Sequence, residues 1–318
     1  MQRIVYLERE SVIAEVRRPA FANEWTEYAK TAPGQVVERL AGATIAIINK
    51  APLPAAAVNA LPELKMVAIA ATGTNIVDLE ACKARGIVVS NIRGYADHTV
   101  PEHVMALMLA LSRNLIAWRE SVQAGRWQQS DQFCLFDHPI RDLHGATLGL
   151  IGSGSLGNGV VRLAEAFGMR VLRAEHKNSA TVRPGYTAFS EVLATADVIT
   201  LHCPLLPETQ NLIGEAELRA MKSTALLINT ARGGIVNEPA LIRALQEGWI
   251  AGAGFDVVTV EPPPVGHVML APELLALPNF LLTPHVAWSS RPAMQMLADQ
   301  LIANIEAYVA GSPTNRVA

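Results

Sequence analysis

The most constraining feature of this 318-residue sequence is a run near its middle, LGLIGSGSLGNGVVRLAEAFGMRVLRAE, from Leu148 to Glu175. A continuous apolar run is followed by glycines, then by apolar residues at helical spacing, then by a second apolar run that ends on an acid. This order predicts a strand, a tight turn, a helix and a second strand parallel to the first.

The glycine turn has the residue types that a bound dinucleotide needs. Gly152 permits the tight turn, Gly154 lets a pyrophosphate approach the backbone, and Gly157 brings the helix close to the strand. The helix start at Ser155 and Leu156 offers free N–H groups and a partial positive charge to the phosphates. We therefore predict dinucleotide binding here rather than a purely structural turn.

The acid at the end of the second run bears on which dinucleotide binds. Glu175 lies about twenty residues after the turn, where an acid that binds the ribose hydroxyls is expected. Its carboxylate favours NAD, because it repels the 2′-phosphate of NADP. Arg173, His176 and Lys177 lie nearby and soften that repulsion, so NADP is the less favoured alternative.

The same alternation of apolar runs and helical patterns extends along most of the chain. Two helical patterns, EWTEYAK and DLEACKARG, separate early runs, and the second ends at Gly86. The runs predicted as strands are residues 3–8, 44–50, 66–73, 87–92, 147–152, 170–175, 198–204, 225–231, 252–258 and 279–285. Such alternation predicts an α/β fold with two Rossmann-like, doubly wound parallel sheets.

Two helical stretches define the predicted domains. The join TVPEHVMALMLALSRNLIAW has Thr99 as a candidate cap and Pro101 in its first turn. The last stretch, RPAMQMLADQLIANIEAYVAG, has no further strand after it, so we expect it to fold back onto the first domain. The predicted division is residues 1–98 and 288–318 for a substrate domain and 99–287 for a nucleotide domain.

Composition excludes several classes of protein. A net charge of −3, a pI near 6.3 and the lack of a basic tract give no reason to expect a nucleic-acid partner. The three cysteines are scattered and odd in number, which is typical of a reducing compartment. The N-terminus lacks a signal-peptide pattern, and the run VMALMLAL is too short to span a bilayer, so we expect a cytoplasmic protein without a membrane partner.

Three polar residues at or just beyond the ends of late strands suit one reaction. Arg232 can hold a carboxylate through two parallel hydrogen bonds, and His285 can exchange a proton with an alcohol or ketone at neutral pH. Glu261 can bind the far imidazole nitrogen, fix the tautomer and favour the protonated ring. Beside a nicotinamide, this set predicts oxidoreduction between a 2-hydroxy acid and a 2-oxo acid, although each residue taken singly has an ordinary surface explanation.

The chain resembles the D-isomer-specific 2-hydroxyacid dehydrogenases over nearly its full length. The motifs LGLIGSGSLG, LHCPLLPETQNLI, LINTARGGIVNE, GAGFDVVTVEPPP and LLTPHVAW match that family in order and spacing. The resemblance implies a nucleotide domain inserted into a flavodoxin-like substrate domain, with His285 as acid/base, Glu261 as its partner and Arg232 as the substrate clamp. It also implies that Asp256 contacts the nicotinamide carboxamide.

The resemblance implies further binding residues. The backbone at Thr72 and Gly73 is expected to hold the substrate carboxylate. The cofactor site is expected to include Thr99, Gly152, Gly154, Ser155, Leu156, Gly157, Glu175, Cys203, Pro204, Thr209, Thr230, Ala231, Arg232, Asp256 and His285. A symmetric homodimer is expected on the same grounds.

Within the family the sequence is similar to bacterial glycerate dehydrogenases, also called hydroxypyruvate reductases. The motifs that carry this likeness include IINKAPL, TGTNIVDLEACKARGI, NIRGYADHTVPEHV and HVAWSS. They implicate Lys50 in binding a hydroxyl-bearing substrate and Trp288 in narrowing the pocket. A surface lysine and a packing tryptophan are the alternative interpretations.

Two alternative functions stay open at this point. One is reduction of glyoxylate or another short 2-oxo acid; the other is an NAD(H)-sensing regulatory protein built on the same scaffold. The adjacent His202 and Cys203 form no metal motif, because strand neighbours point to opposite faces and no second cysteine or HxH completes a site. His98 and His103 are interpreted as structural residues, and a position of His98 near the cleft is the alternative.

Overall fold

A computed structural model describes all 318 residues, which divide into two compact units. One unit comprises residues 1–96 and 289–318, and the other comprises residues 97–288, which lie within the first in chain order. Each unit is built on one sheet of parallel strands. The functional division predicted from the sequence stays a prediction.

The first unit contains a five-stranded parallel sheet in the order β2-β1-β3-β4-β5, the strand order of flavodoxin-like folds. Every residue of β3 and β4 is buried, as expected for strands covered on both faces. The strands are β1 (Gln2–Tyr6), β2 (Asn23–Glu27), β3 (Ile45–Ile48), β4 (Met66–Ile69) and β5 (Val88–Ser90). The helices are α1 (Val36–Leu40), α2 (Ala55–Asn59), α3 (Leu79–Ala84) and α11 (Arg291–Val309).

The prediction of a helix for EWTEYAK is wrong, because most of this segment belongs to the edge strand β2. It pairs in parallel with β1, and Trp25 lies edge-on to Tyr6 with ring centroids 6.5 Å apart. The Arg18 guanidinium covers the Trp25 ring at 4.4 Å. The strand pairing and this ring packing are tertiary contacts, and they override the weak helical preference of a short segment.

Two other elements of the first unit, α3 and the final helix α11, form where the sequence predicts helices. Asp78 caps α3 by accepting a hydrogen bond from the Ala81 amide at 2.9 Å, and Gly86 beyond its end has a φ of 66°. The final helix α11 packs against β4 within the first unit, and Asn304 on it donates to the Asn91 carbonyl at 3.0 Å.

The second unit contains a six-stranded parallel sheet in the order β11-β10-β9-β8-β6-β7. Its strands are β6 (Thr147–Ile151), β7 (Arg170–Arg173), β8 (Val198–Leu201), β9 (Leu226–Asn229), β10 (Gly252–Phe255) and β11 (Phe280–Leu282). Its helices are α4 (Thr99–Ser112), α5 (Leu115–Gln123), α6 (Ser155–Ala166), α7 (Phe189–Thr195), α8 (Glu215–Ala220), α9 (Glu238–Gln246) and α10 (Pro272–Leu275). All ten strand predictions are confirmed with shorter bounds, so the polar residues at their ends lie in loops.

The strand order reverses direction between β6 and β8, and ligands of open α/β sheets bind at such a point. Gly152 directly follows β6 there, with a φ of 99°. A Cβ on it would lie 2.5 Å from the His202 carbonyl carbon just beyond β8, so only glycine fits. The fold therefore places the glycine turn at the switch point.

The helix that opens the second unit differs from the sequence prediction in one detail. Thr99 is the first residue of α4 and does not cap it; its hydroxyl donates to the Ala287 carbonyl at 3.1 Å. Pro101 lies in the first turn, as predicted.

None of the helices is both long enough and apolar enough to cross a bilayer.

Candidate active site

Three neighbouring strands of the second sheet bring the predicted polar residues to one edge. Arg232 follows β9, Glu261 follows β10 and His285 follows β11, and these strands lie side by side. Because the strands are parallel, their carboxyl ends meet at the same edge of the sheet. The topology thus assembles at one edge residues that are up to 53 positions apart in the sequence.

His285 and Glu261 are in direct contact. The imidazole Nδ1 lies 2.6 Å from Glu261 Oε2, and both side chains are about three-quarters covered. The other carboxylate oxygen of Glu261 accepts a hydrogen bond from the Val258 amide at 3.1 Å. With the carboxylate held at both oxygens, the imidazole has a fixed orientation and its Nε2 is the nitrogen that remains for a ligand.

The backbone of His285 lies in the left-handed region, with a φ of 55°, which is unusual for a residue with a side chain. Asp256, directly after β10, holds this conformation. Its carbonyl accepts from the His285 amide at 2.8 Å, and its carboxylate accepts from the Val286 and Ala287 amides at 2.9 Å each. One buried residue therefore binds three consecutive amides and offsets the strain at His285.

A second set of contacts surrounds the same carboxylate. The Thr283 hydroxyl donates to Asp256 Oδ1 at 2.5 Å, and His103 on α4 contacts that hydroxyl at 3.0 Å through Nε2. The same His103 nitrogen lies 3.8 Å from Asp256 Oδ1. The prediction of a structural His103 thus acquires a specific partner, the loop that carries His285.

The Arg232 loop packs against the turn that carries Glu261. A Cβ on Gly233 would lie 1.9 Å from the Val258 carbonyl oxygen, so the two backbones approach as closely as only glycine allows. Asn229 braces the loop by donating to the Arg232 carbonyl and accepting from the Ala231 amide, at 3.0 and 3.1 Å. Arg232 itself is exposed, and its Nη1 donates to the Ala231 carbonyl at 2.7 Å.

The glycine turn fits a dinucleotide. A Cβ on Gly154 would meet no atom within 4 Å, whereas one on Gly157 would lie 2.3 Å from the Gly152 carbonyl oxygen. The space beside Gly154 is open to a pyrophosphate, and the helix is pressed onto the turn at Gly157. Helix α6, which begins at Ser155 and Leu156, has no side-chain cap at its N-terminus, so its first amides are available to phosphate oxygens.

The other residues expected near a cofactor have mixed environments. Thr230 is buried and its hydroxyl has no hydrogen-bond partner in the chain, which suits a group that a ligand satisfies. Thr209 donates to the Pro204 carbonyl at 2.7 Å and orders that turn, and Cys203 is partly buried, which raises the pKa of its thiol. Burial lowers the pKa of His202 to about 4, so this ring is neutral at pH 7.

Glu175 follows β7 beside the glycine turn, since Leu150 and Arg173 are paired in the register of β6 and β7. Its carboxylate is bound by the Arg183 side chain, with Nε–Oε2 and Nη2–Oε1 distances of 2.7 Å. These hydrogen bonds, with the backbone amides of Arg183 and His176, lower its pKa to about 2. The acid is ionised at neutral pH and already engaged.

The substrate-binding residues expected in the first unit lie beyond two adjacent strands. Lys50 follows β3, and Thr72 and Gly73 follow β4. The Lys50 amide donates to Glu8 at 2.8 Å, and the Thr72 hydroxyl donates to the Ile92 carbonyl at 2.8 Å. Their contacts with substrate stay predictions.

Trp288 belongs to the second unit, where its indole N–H donates to the His285 carbonyl at 3.0 Å. This bond ties the tryptophan to the acid/base loop. Its predicted contact with substrate is untested.

One side chain that the sequence did not single out, and one that it assigned to another role, contribute to these arrangements. Arg183 lies eight residues beyond Glu175 in a loop without periodicity, and the loop-holding carboxylate of Asp256 was assigned only a cofactor contact. Only the fold brings these groups to their partners. No cluster of three or more histidine, cysteine or acidic side chains in the chain could hold a metal ion.

Sequence comparison gives the family context. Residues 105–287 match the D-isomer specific 2-hydroxyacid dehydrogenase, NAD binding domain. The chain is 51% identical over 317 residues to a glycerate dehydrogenase of Methylorubrum extorquens, covering 99% of both chains. It is 34% identical to a hydroxypyruvate reductase of Blautia hydrogenotrophica, covering 89% of this chain and 87% of that protein. It is 35% identical to a glyoxylate reductase of Korarchaeum cryptofilum, covering 92% and 88%.

Solved structures agree with the fold. The TT0316 protein from Thermus thermophilus superposes with a TM-score of 0.83 and 32% identity, covering 100% of both chains. A D-lactate dehydrogenase with NAD+ from Lactobacillus jensenii gives 0.78 and 25%, covering 100% of this chain and 99% of that one. The predicted fold class of two Rossmann-like sheets is confirmed.

Asp256→Asn should loosen the His285 loop. In the variant one carboxylate oxygen is replaced by an NH2 group, which cannot accept a hydrogen bond. This group would face either the Ala287 amide or the Val286 amide and the Thr283 hydroxyl. A buried donor left without a partner costs about 1–3 kcal/mol. We expect a lower midpoint of thermal unfolding and faster hydrogen exchange at the amides of residues 285–287, read by mass spectrometry. Asp142→Asn, at an exposed carboxylate paired with Arg113, is the control. Unchanged hydrogen exchange in Asp256→Asn would refute the role of the Asp256 carboxylate in holding the His285 loop.

Proposed function

Because the chain belongs to the D-isomer-specific 2-hydroxyacid dehydrogenases and is an NAD-dependent enzyme of that family, we propose that it interconverts D-glycerate and hydroxypyruvate. The observation that carries the reaction class is the 2.6 Å contact between His285 Nδ1 and Glu261 Oε2. Support for this substrate comes from the full-length similarity to the glycerate dehydrogenase of Methylorubrum extorquens.

His285 is the proposed acid/base. Its Nδ1 faces a carboxylate, which favours the tautomer with the proton on Nδ1 and a lone pair on Nε2. In the oxidative direction Nε2 takes the proton from the substrate hydroxyl, and the adjacent Glu261 carboxylate stabilises the imidazolium that forms. In the reductive direction the same nitrogen returns the proton to the carbonyl oxygen. NAD, when bound, supplies the hydride acceptor or donor.

Arg232 is the proposed clamp for the substrate carboxylate. Its Nη1 is bound to the Ala231 carbonyl, which steadies the guanidinium and leaves Nε and Nη2 for two parallel hydrogen bonds. The exposed position of this side chain makes it accessible to a small acid. Holding the carboxylate fixes the orientation of the neighbouring hydroxyl-bearing carbon relative to His285.

A substrate panel tests the proposal. We expect the highest kcat/KM with hydroxypyruvate when NADH consumption is followed by its absorbance. Glyoxylate and pyruvate should be turned over more slowly, by about 5- to 150-fold if the lost hydroxyl contact is worth about 1–3 kcal/mol. The control is the same assay without acid. A preference for glyoxylate contradicts the substrate assignment, and no turnover with any acid favours a regulatory protein that senses NAD(H).

Variants of two residues test the assigned roles. His285→Ala should lower kcat about 10²–10⁴-fold while NADH still binds, because general acid/base assistance is lost and the glycine turn is untouched. Arg232→Ala should raise KM and lower kcat together, since the carboxylate clamp acts in the ground state and the transition state. The exposed His144 and Arg219 supply control substitutions, His144→Ala and Arg219→Ala. Parent-like kinetics in either test variant rejects that residue's role.

We further propose that the enzyme is a homodimer formed through the loop between α5 and β6. Phe133 and Phe136 are 90% and 82% exposed there, and Trp127 in the same segment is half exposed. Large aromatic side chains clustered on a surface are typical of association sites, and two-fold assemblies are the commonest.

The three cysteines are all unpaired, which supports a reducing compartment such as the cytoplasm.

Charge introduction at the aromatic loop tests the dimer. The double variant Phe133→Asp/Phe136→Asp should convert a particle of two chains into one of a single chain in size-exclusion chromatography with light scattering, because each aspartate buries a charge in an apolar contact. Phe167→Asp changes another exposed phenylalanine and serves as control. A parent of single-chain mass, or a double variant that keeps two chains, contradicts the proposal.

A further inference from the structure

We propose that Arg183 is the group that meets the adenosine ribose of the cofactor, and that through it the enzyme binds NADPH about as well as NADH. This concerns the cofactor end of the site. It does not depend on the substrate assignment, and its test uses binding of nucleotide fragments, so the two can fail separately.

The first argument is the covering of Glu175. Its side chain is only 3% exposed, whereas the side chain of Arg183 lying over it is 51% exposed. A ribose that approaches the end of β7 therefore meets a guanidinium before it meets a carboxylate.

The second argument is the hydrogen-bond capacity of the carboxylate. Oε1 accepts from the His176 amide and from Arg183 Nη2, and Oε2 accepts from the Arg183 amide and Nε. An ionised carboxylate offers about four lone-pair positions, and four donors occupy them. A ribose hydroxyl gains a hydrogen bond from Glu175 only by displacing one of these donors, so the usual advantage of an unphosphorylated ribose is weakened.

The third argument is charge. An isolated carboxylate repels a 2′-phosphate, but here the Arg183 guanidinium neutralises it at 2.7 Å. The Arg183 guanidinium binds Glu175 through Nε and Nη2, so Nη1 is the nitrogen left for an incoming anion. Arg183 Cζ lies 4.0 Å from the centroid of the Tyr186 ring, a cation–π contact that restricts the guanidinium at the position where it would meet a phosphate.

Two of the three neighbouring basic residues that the sequence suggested, Arg173 and Lys177, are bound to other groups, whereas the side chain of the third, His176, is exposed. Arg173 donates to Asn158 Oδ1 at 2.8 Å, and Lys177 pairs with Glu217 at 2.8 Å. Arg183 is thus the residue whose guanidinium is hydrogen-bonded to Glu175, the acid expected at the ribose. The softening of the repulsion comes from a residue eight positions further along the chain than the acid.

The test compares AMP with 2′,5′-ADP by isothermal titration calorimetry, because these probes differ only in the 2′-phosphate. For the parent we expect dissociation constants within about tenfold of each other, with 2′,5′-ADP weakened more steeply by added salt. In Arg183→Met, 2′,5′-ADP should bind at least about tenfold more weakly, whereas AMP should bind equally or more tightly because Glu175 is released. NADPH and NADH titrations should follow the same pattern.

Two further variants complete the design. Arg219→Met is a matched control, since Arg219 is also 51% exposed, pairs with Glu215 and lies 3.5 Å from the Trp249 ring; it should bind both probes as the parent does. Glu175→Gln, which leaves the guanidinium without its carboxylate, should shift the ratio in the opposite direction, toward 2′,5′-ADP. A parent that favours AMP by more than about tenfold, or an unchanged ratio in Arg183→Met or Glu175→Gln, overturns the proposal.

Discussion

The site depends on one buried carboxylate that binds the backbone of a neighbouring loop. Asp256 is 1% exposed, and burying its carboxylate would be costly without hydrogen bonds. The amides of residues 286 and 287 and the Thr283 hydroxyl all donate to it and offset that cost. The same residue's carbonyl receives the His285 amide. The left-handed backbone of His285 is therefore stabilised by two adjacent strands, and the imidazole is presented from a rigid support rather than a free loop.

Much of this architecture follows from pattern in the sequence. The buried parallel strands are recognisable because both of their faces are covered, which produces continuous apolar runs such as Ile45–Ile48. The glycines at 152 and 157 are recognisable because each faces a backbone that a side chain would strike. Edge strand β2 escapes this logic, since its burial is partial and its stability comes from Trp25 packing on Tyr6, a contact between separate segments.

The candidate site was predictable to the extent that each strand end carries one residue with a distinctive chemistry. Arg232, Glu261 and His285 are visible in the sequence for that reason, and the fold places the last two in contact. The pairing of Glu175 with Arg183 and the contacts of His103 are not visible. They join groups whose spacing follows neither a helical nor a strand period, and only the completed loops decide which donor reaches which acceptor. The resemblance to a family supplies roles for residues but not these connections.

The carboxylates at the strand ends share a physical task in both units. Glu8, after β1, accepts the amides of Asn49, Lys50 and Ala51 beyond the adjacent β3, each at 2.8 Å. Asp256 does the same for the loop beyond β11. A parallel strand ends with amides that no ladder satisfies, and an acid one strand away binds them while its own charge is stabilised by their dipoles. Loops held in this way lose little further entropy when a ligand binds, so in the second unit the edge that assembles the reacting groups also has loops fixed by hydrogen bonds before a ligand arrives.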